Sequence, residues 1–72
     1  MTVDEPASRR WAELWERHEA ASREVSLAWL AVQDRFARNQ VPTQDELARL
    51  EDARATRGAI EREMDEFMTT LH

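Results

Sequence analysis

The chain has 72 residues and a net charge of −5, with 15 acidic residues against 10 basic ones and no cysteine. This length allows one small domain, and neither disulfides nor thiolate metal sites can stabilise it. The acidic balance argues against a general nucleic-acid-binding protein, which needs a basic face. No apolar run approaches the roughly 20 residues that cross a bilayer, so we expect no membrane association and a cytoplasmic location.

The first predicted element is a long helix over residues 6–38. Pro6 suits the first turn of a helix, and Asp4 or Glu5 can cap that turn. Further along, candidate core residues recur in alternating steps of four and three. This is the heptad spacing of helices that pack in a left-handed sense. The predicted seam of this helix consists of Trp11, Trp15, His18, Ser22, Val25, Trp29, Val32 and Phe36.

A turn is predicted at about residues 39–43, where the segment "NQVPT" interrupts the helical pattern. Asn39 can adopt the left-handed backbone conformation that ends a helix, and Pro42 prevents the helix from continuing. Thr43 and Glu46 have the spacing of a capping box, in which each side chain accepts a hydrogen bond from the other residue's backbone N–H. A second helix therefore begins at residue 44.

The second helix is predicted over residues 44–70, and a short turn must fold it back antiparallel on the first. This arrangement places Val32 opposite Leu50 beside the turn and Trp11 opposite Leu71 at the open end. We therefore predict an all-α fold, an antiparallel two-helix hairpin that forms a single domain over residues 1–72. The seam of the second helix consists of Leu50, Ala53, Arg57, Ile60, Met64, Phe67 and Leu71.

Apolar and small residues also lie outside these seams, where a two-helix hairpin leaves them uncovered. Isolated hairpins of this size are rarely stable, so we expect the chain to dimerise into a four-helix bundle or to join the helices of a partner. Gly58 either admits a closely packed partner helix or is a mild flaw in an exposed stretch. The interface candidates are Leu27, Leu30, Ala48, Ala55, Gly58, Ala59, Trp11, Trp15 and Met68.

Arg57 is the one arginine in the predicted seams, and its role has three interpretations. It can lay its methylenes on Val25 and carry its charge out to Glu24 or Glu61. It can set the register of the helices, as a buried polar residue does in a coiled coil. It can also bind an anion or take part in catalysis.

Motifs of catalysis and cofactor binding are not found. His18 follows Trp15 at three residues, so the Glu-x-x-His pair of di-iron bundles is missing, although a site built from His18 with Glu61 or Asp65 is conceivable. There is no glycine-rich phosphate loop and no nucleophile elbow. We therefore predict no catalytic, cofactor-binding or metal-binding residues.

The predicted function is that of a non-enzymatic helical interaction or assembly protein. Its partner is a second copy, in a homodimer, or the helices of another protein. The alternative is a small acidic regulator or inhibitor that binds a basic surface on another macromolecule. Such a regulator needs a continuous acidic face, and the densest acidic patch consists of Glu61, Glu63, Asp65 and Glu66.

Overall fold

The computed structural model describes residues 5–71, which form two helices joined by a short turn. Helix α1 spans Glu5–Ala37 and helix α2 spans Gln44–Thr70, and the two pack against each other along their length. The predicted antiparallel helical hairpin is thus confirmed, with bounds within one residue of those expected. Asp4, one of the two predicted caps of α1, lies outside the described residues.

The end of α1 is closed by backbone hydrogen bonds that its sequence makes possible. Asn39 has a φ of 57°, the left-handed conformation predicted for it. The N–H of Asn39 donates to the carbonyl of Phe36 at 3.0 Å, and the N–H of Gln40 donates to that of Arg35 at 2.8 Å. These two bonds define a Schellman motif, which satisfies carbonyls that the helix end would leave without partners.

The start of α2 carries the predicted capping box. The hydroxyl oxygen of Thr43 accepts from the N–H of Glu46 at 3.1 Å, and Glu46 Oε1 accepts from the N–H of Thr43 at 2.9 Å. Arg35, in the last turn of α1, donates through Nε to both carboxylate oxygens of Glu46, at 3.0 and 3.1 Å. Glu46, the second member of the capping box, therefore also ties the end of α1 to the start of α2.

The predicted seam is correct for α2 as far as Phe67 and wrong at its last member, Leu71, and in α1 it is wrong at alternate positions. Leu50, Ala53 and Ile60 are buried, and Arg57, Met64 and Phe67 are half-buried, whereas Leu71 is exposed. In α1, Trp11, His18, Val25 and Val32 face α2 as expected, but Trp15, Trp29 and Phe36 remain exposed and Ser22 is only half-buried. The residues that fill these alternate places are Leu14, Ala21, Ala28 and Arg35, each one residue earlier.

Side-chain size explains the difference. The seven positions of a heptad are written a to g. A seam can consist of the a and d residues or of the a and e residues, where e is the residue after d, and both choices give alternating steps of three and four. In α1 the d residues include Ala21 and Ala28, which let the helix backbones approach closely. The e residues include two tryptophans, which are too large for a closely packed seam. Close packing therefore places the alanines inside and Trp15 and Trp29 at the edge.

The pairing along the seam is confirmed beside the turn and corrected at the open end. Val32, Ala28 and Leu50 form a buried cluster on which Val25 packs. At the open end the ring of Trp11 lies 5.9 Å from that of Phe67. The predicted partner of Trp11, Leu71, is 54 % exposed. The larger aromatic ring thus takes the position beside Trp11.

The hairpin is a thin rod with a large surface. Its Cα atoms extend over 57 × 17 × 14 Å, and their radius of gyration is 16.6 Å, against about 11 Å for a compact domain of this length. The chain exposes 5655 Å², whereas a folded monomer of 8.5 kDa exposes about 4,700 Å². The hairpin alone therefore leaves about 1,000 Å² more surface in water than a compact monomer of its mass.

Candidate interaction surface

The two edges of the seam have opposite chemical character. In an antiparallel pair, the g positions of both helices share one edge and the e positions share the other. We call the first the ionic flank; it is formed by Arg10, Arg17 and Glu24 of α1 with Arg49, Thr56 and Glu63 of α2. We call the second the apolar flank; it is formed by Trp15, Ser22, Trp29 and Phe36 of α1 with Leu47, Arg54, Glu61 and Met68 of α2.

Ion pairs between the helices occupy the ionic flank. Arg17 makes two hydrogen bonds to the carboxylate of Glu63, at 3.1 and 3.0 Å, and Arg10 donates to Glu63 Oε1 at 3.2 Å. Closer to the turn, Arg49 Nη2 lies 3.4 Å from Glu24 Oε1. The hydrogen bond from Arg17 is the main reason that the pKa of Glu63 is lowered, and the same bond raises the pKa of Arg17. This edge is already supplied with partners from within the chain.

Large apolar side chains dominate the apolar flank, and water contacts much of their surface. Trp15 is 48 % exposed, Trp29 and Leu47 are each 47 % exposed, and Phe36 is 62 % exposed. Met68, also 47 % exposed, extends the same edge toward the open end. Scattered exposed apolar residues are ordinary, but these form a row along one edge of both helices and so make a continuous apolar surface.

Two charged residues of α2, Arg54 and Glu61, lie in the middle of the apolar flank. Glu61 Oε2 lies 2.9 Å from Nε2 of His18, and this hydrogen bond is the main reason that the pKa of Glu61 is lowered. Glu61 nevertheless remains 55 % exposed at its side chain. Arg54 is exposed and lines one groove with Trp29. Both charges are therefore accessible from outside the hairpin.

A groove at the open end continues this surface. It has a volume of about 590 Å³ and is lined by Trp11, Phe67, Met68 and Leu71, together with two small residues of the first turn of α1, Ala7 and Ser8. Trp11 also stacks on Trp15, with ring centroids 6.5 Å apart. Aromatic and methionine side chains therefore cluster at the open end, and this cluster adjoins the apolar flank.

The predicted interface residues fall into three separate places. Trp11, Trp15 and Met68 belong to the open end and the apolar flank. Leu27 and Leu30 lie on the back of α1, where they are 48 % and 58 % exposed. The backs of the two helices point in opposite directions, so one partner surface cannot cover both. The small residues on the back of α2 are Ala48, Ala55, Gly58 and Ala59, the first two exposed and the others half-buried.

Sequence reasoning missed Trp29, Phe36 and Leu47 as surface residues. The heptad pattern predicts Trp29 and Phe36 in the seam, because their spacing from Val25 and Val32 fits a heptad as well as that of the observed seam residues does. A signal was available in their exact repeat: large apolar residues recur at seven-residue intervals at Trp15, Trp29 and Phe36, with Ser22 between them. A separate seven-residue row beside the seam is typical of a helix with a second contact face.

Arg57 is half-buried at the centre of the hairpin, in the groove that Val25, Trp29, Leu50 and Arg54 also line. Its charge helps to lower the pKa of Glu61, after the larger effect of His18. This placement agrees with the interpretation in which its methylenes cover Val25 and its charge is directed toward Glu61.

The described residues offer no metal site and no membrane span. His18 and Glu61 do meet, as the sequence made conceivable, but no group of three or more metal-ligating side chains occurs within residues 5–71. In the same part of the chain, neither helix has the length and hydropathy needed to span a bilayer. Comparison with protein-family models, curated proteins and solved structures yields no match to this chain.

Proposed function

We propose that this chain is a non-enzymatic assembly protein that completes a helical bundle with the helices of a second hairpin. The second hairpin is another copy of the chain or part of a partner protein. The observation that carries this proposal is the apolar flank, a row of half-exposed aromatic and aliphatic side chains along one edge of a rod whose opposite edge is ion-paired.

The small core supports the same proposal. Three of the seven buried hydrophobic residues found among the described residues are alanines, and Leu14 is the one large side chain there that is fully buried. Covering each large side chain of the apolar flank contributes about 1.5–3 kcal/mol if it becomes fully buried, and proportionately less from its half-exposed state. The surplus surface of about 1,000 Å² is close to the roughly 800 Å² per partner of a standard protein interface.

The alternative of an acidic regulator has less support from the arrangement of charges. Glu63 and Glu61, two members of the densest acidic patch, already interact with Arg17 and His18. Glu24 and Glu46 likewise interact with Arg49 and Arg35. Basic residues therefore alternate with the acids across the hairpin, and this favours assembly through apolar contacts over binding to a basic surface.

Self-association is tested by measuring mass and melting temperature over a range of concentrations. Light scattering should give a mass near twice 8.5 kDa, and the melting temperature should rise with concentration, because dimerisation stabilises the folded state by mass action. Trp29→Glu should reduce the mass to that of the monomer. Leu30→Glu is the matched control on the back of α1 and should leave the dimer intact.

The outcomes separate the candidate surfaces. A well-folded wild-type monomer at micromolar concentration would refute self-association. Dissociation by Leu30→Glu with no effect of Trp29→Glu would instead place the contact on the back of α1.

A further inference from the structure

The apolar flank carries a pattern that is complementary to its own reverse. Along α2 the residues at seven-residue intervals are Leu47, Arg54, Glu61 and Met68: apolar, positive, negative, apolar. Read against a reversed copy of itself, this row brings each apolar residue onto the other apolar residue and each charge onto its opposite. Antiparallel helices packed side by side meet in this reversed sense.

The row along α1 is also complementary to its own reverse, in this case through the sizes of its side chains. It runs Trp15, Ser22, Trp29 and Phe36, so reversal brings Trp15 onto Phe36 and Ser22 onto Trp29. The first pair joins two aromatic rings at the ends of the row. The second joins a small residue with a large one near its middle, which is the combination that packs without clashes or voids.

The two rows have their midpoints at about the same height in the hairpin. The midpoint of the α1 row lies beside Val25, and that of the α2 row lies beside Arg57. Val25 and Arg57 line the same groove, with Trp29 and Arg54 on its rim. A single twofold axis that crosses the hairpin at this height can therefore reverse both rows at once.

We propose that a second copy of this chain packs on the apolar flank about a twofold axis perpendicular to the helices, with the two turns at opposite ends of the bundle. This inference rests on the proposed function, since it specifies how the chain assembles with itself. In the resulting dimer, α1 packs on α1 of the second copy and α2 on α2, Leu47 meets Met68, and Arg54 pairs with Glu61.

Charge distinguishes this dimer from the one with both turns at the same end. In that alternative, each residue lies at the same height as its counterpart in the second copy. The two copies of Arg54 therefore share one layer of the bundle, and the two copies of Glu61 share another. Like charges in one layer repel, whereas the reversed arrangement gives two pairs of opposite charge. Partial burial in the bundle strengthens this preference, because charges interact more strongly when water is excluded.

Small residues near the axis leave room for the second copy. Ser22, Ser26 and Gly58 lie on this side of the hairpin close to the height of Val25 and Arg57. A Cβ atom added at Gly58 would meet no atom of the chain within 4 Å, so nothing inside the hairpin requires a glycine there. In the proposed dimer Gly58 lies where the two α2 helices approach most closely, and a missing side chain favours that approach.

A mixing experiment tests the charge pairing. Arg54→Glu gives a homodimer with two Glu–Glu contacts, and Glu61→Arg gives one with two Arg–Arg contacts. Each variant alone should dimerise with a dissociation constant raised about tenfold or more, the scale of two unfavourable surface contacts. Mixed together, the two variants form a heterodimer in which both contacts join opposite charges, and the dissociation constant should return to within about threefold of the wild type.

Arg62→Glu, on the exposed back of α2, is the matched control and should leave the dissociation constant unchanged. The proposed pairing is wrong if each variant alone dimerises as tightly as the wild type. It is also wrong if mixing the two variants does not lower the dissociation constant, even though the chain self-associates.

Distance measurement tests the orientation. The chain contains no cysteine, so Val41→Cys in the turn, where Val41 is 82 % exposed, provides a single site for a spin label. The proposed twofold axis lies about 15 residues from Val41 along either helix, which is about 20 Å at 1.5 Å per helical residue. The two labels lie on opposite sides of this axis, so electron spin resonance should give a distance of about 40–45 Å.

A label separation of about the bundle width, two to three helix diameters of 10 Å, would overturn the proposed orientation and leave self-association standing. A monomeric mass with no coupling between labels would overturn both the orientation and self-association, and would leave the helices of a partner protein as the second hairpin of the proposed function.

Discussion

At the scale of single residues, Arg57 shows how an arginine is accommodated in a seam. Its Cα lies at a position that faces α1, yet its side chain is half-buried and its charge acts on Glu61 at the edge of the hairpin. A long aliphatic stem permits this placement, because the methylenes can cover Val25 while the guanidinium stays in water. Within residues 6–71 no charged side chain is buried, so Arg57 occupies a seam position without a fully buried charge.

We expect Arg57→Leu to stabilise the hairpin by about 1–2 kcal/mol, because a branched apolar side chain then fills the layer beside Val25. Urea unfolding monitored by circular dichroism measures the change. Arg62→Leu, which adds the same side chain at an exposed site of α2, should change stability by less than about 0.5 kcal/mol. A loss of several kcal/mol in Arg57→Leu would mean that the charge compensates a buried partner.

Leu14 and Trp15 are neighbours in the sequence with opposite surroundings. Leu14 is fully buried in the seam, whereas Trp15 is 48 % exposed on the apolar flank. Leu14→Ala should therefore destabilise the hairpin by about 2–5 kcal/mol, which is a large part of the stability of a small domain. Trp15→Ala should cost the isolated hairpin less and should weaken dimerisation instead.

Chemical denaturation at low and high protein concentration separates these two effects. The cost of Leu14→Ala should be similar at both concentrations, and that of Trp15→Ala should grow with concentration. If Trp15→Ala proved the more damaging at low concentration, the seam would follow the a and e positions after all.

At the scale of the helices, Glu46 joins two functions in one side chain. It caps α2 through the N–H of Thr43 and receives the guanidinium of Arg35. The hydrogen bond from Thr43 is the largest cause of the lowered pKa of Glu46, and the contacts with Arg35 lower it further. Because the folded state favours the ionised carboxylate, this contribution to stability is complete above the unfolded pKa near 4.5 and is lost as the pH falls through the folded value.

Glu46→Gln should consequently reduce stability at pH 7 and make the decline on acidification shallower than in the wild type. Midpoints of urea unfolding between pH 7 and pH 3 measure both effects. Glu51→Gln, at an exposed position of α2, serves as the control and should follow the wild-type profile. An acid profile of Glu46→Gln parallel to that of the wild type would show that this carboxylate does not gain stability from ionisation.

The helices and the turn were predictable because their signals are local. Asn39, Pro42, Thr43 and Glu46 each have a backbone or capping preference that acts within a few residues. The seam of α1 was only half predictable, since hydrophobicity favours Trp29 where packing favours Ala28. Which of the two residues faces α2 depends on the distance between the helices, and the spacing of residues within α1 gives no information about that distance. The position of each flank depends in turn on the seam, so the seven-residue row of Trp15, Trp29 and Phe36 can be identified as an apolar flank only once the seam is known.

At the scale of the whole molecule, side-by-side assembly predicts a particular change of shape. Two hairpins packed along the apolar flank double the mass and the cross-section but leave the length near 57 Å. Small-angle X-ray scattering should therefore show a maximum dimension almost independent of concentration, while the forward intensity per unit mass doubles. Hairpins that met end to end through the groove at Trp11 and Phe67 would instead nearly double the maximum dimension.

The closed turn also sets the order in which this molecule acquires its structure. The Schellman motif at Asn39 and the capping box at Thr43 satisfy both helix ends with residues close in sequence. The cluster of Val32 and Leu50 lies directly behind them, so among the apolar contacts between the helices it closes a short loop at a small cost in entropy. Contacts farther from the turn close longer loops, and Trp11 and Phe67 close the longest of those described. We therefore expect the hairpin to form from the turn outward, with the open end, where the groove lies, the last part to form and the first to fray.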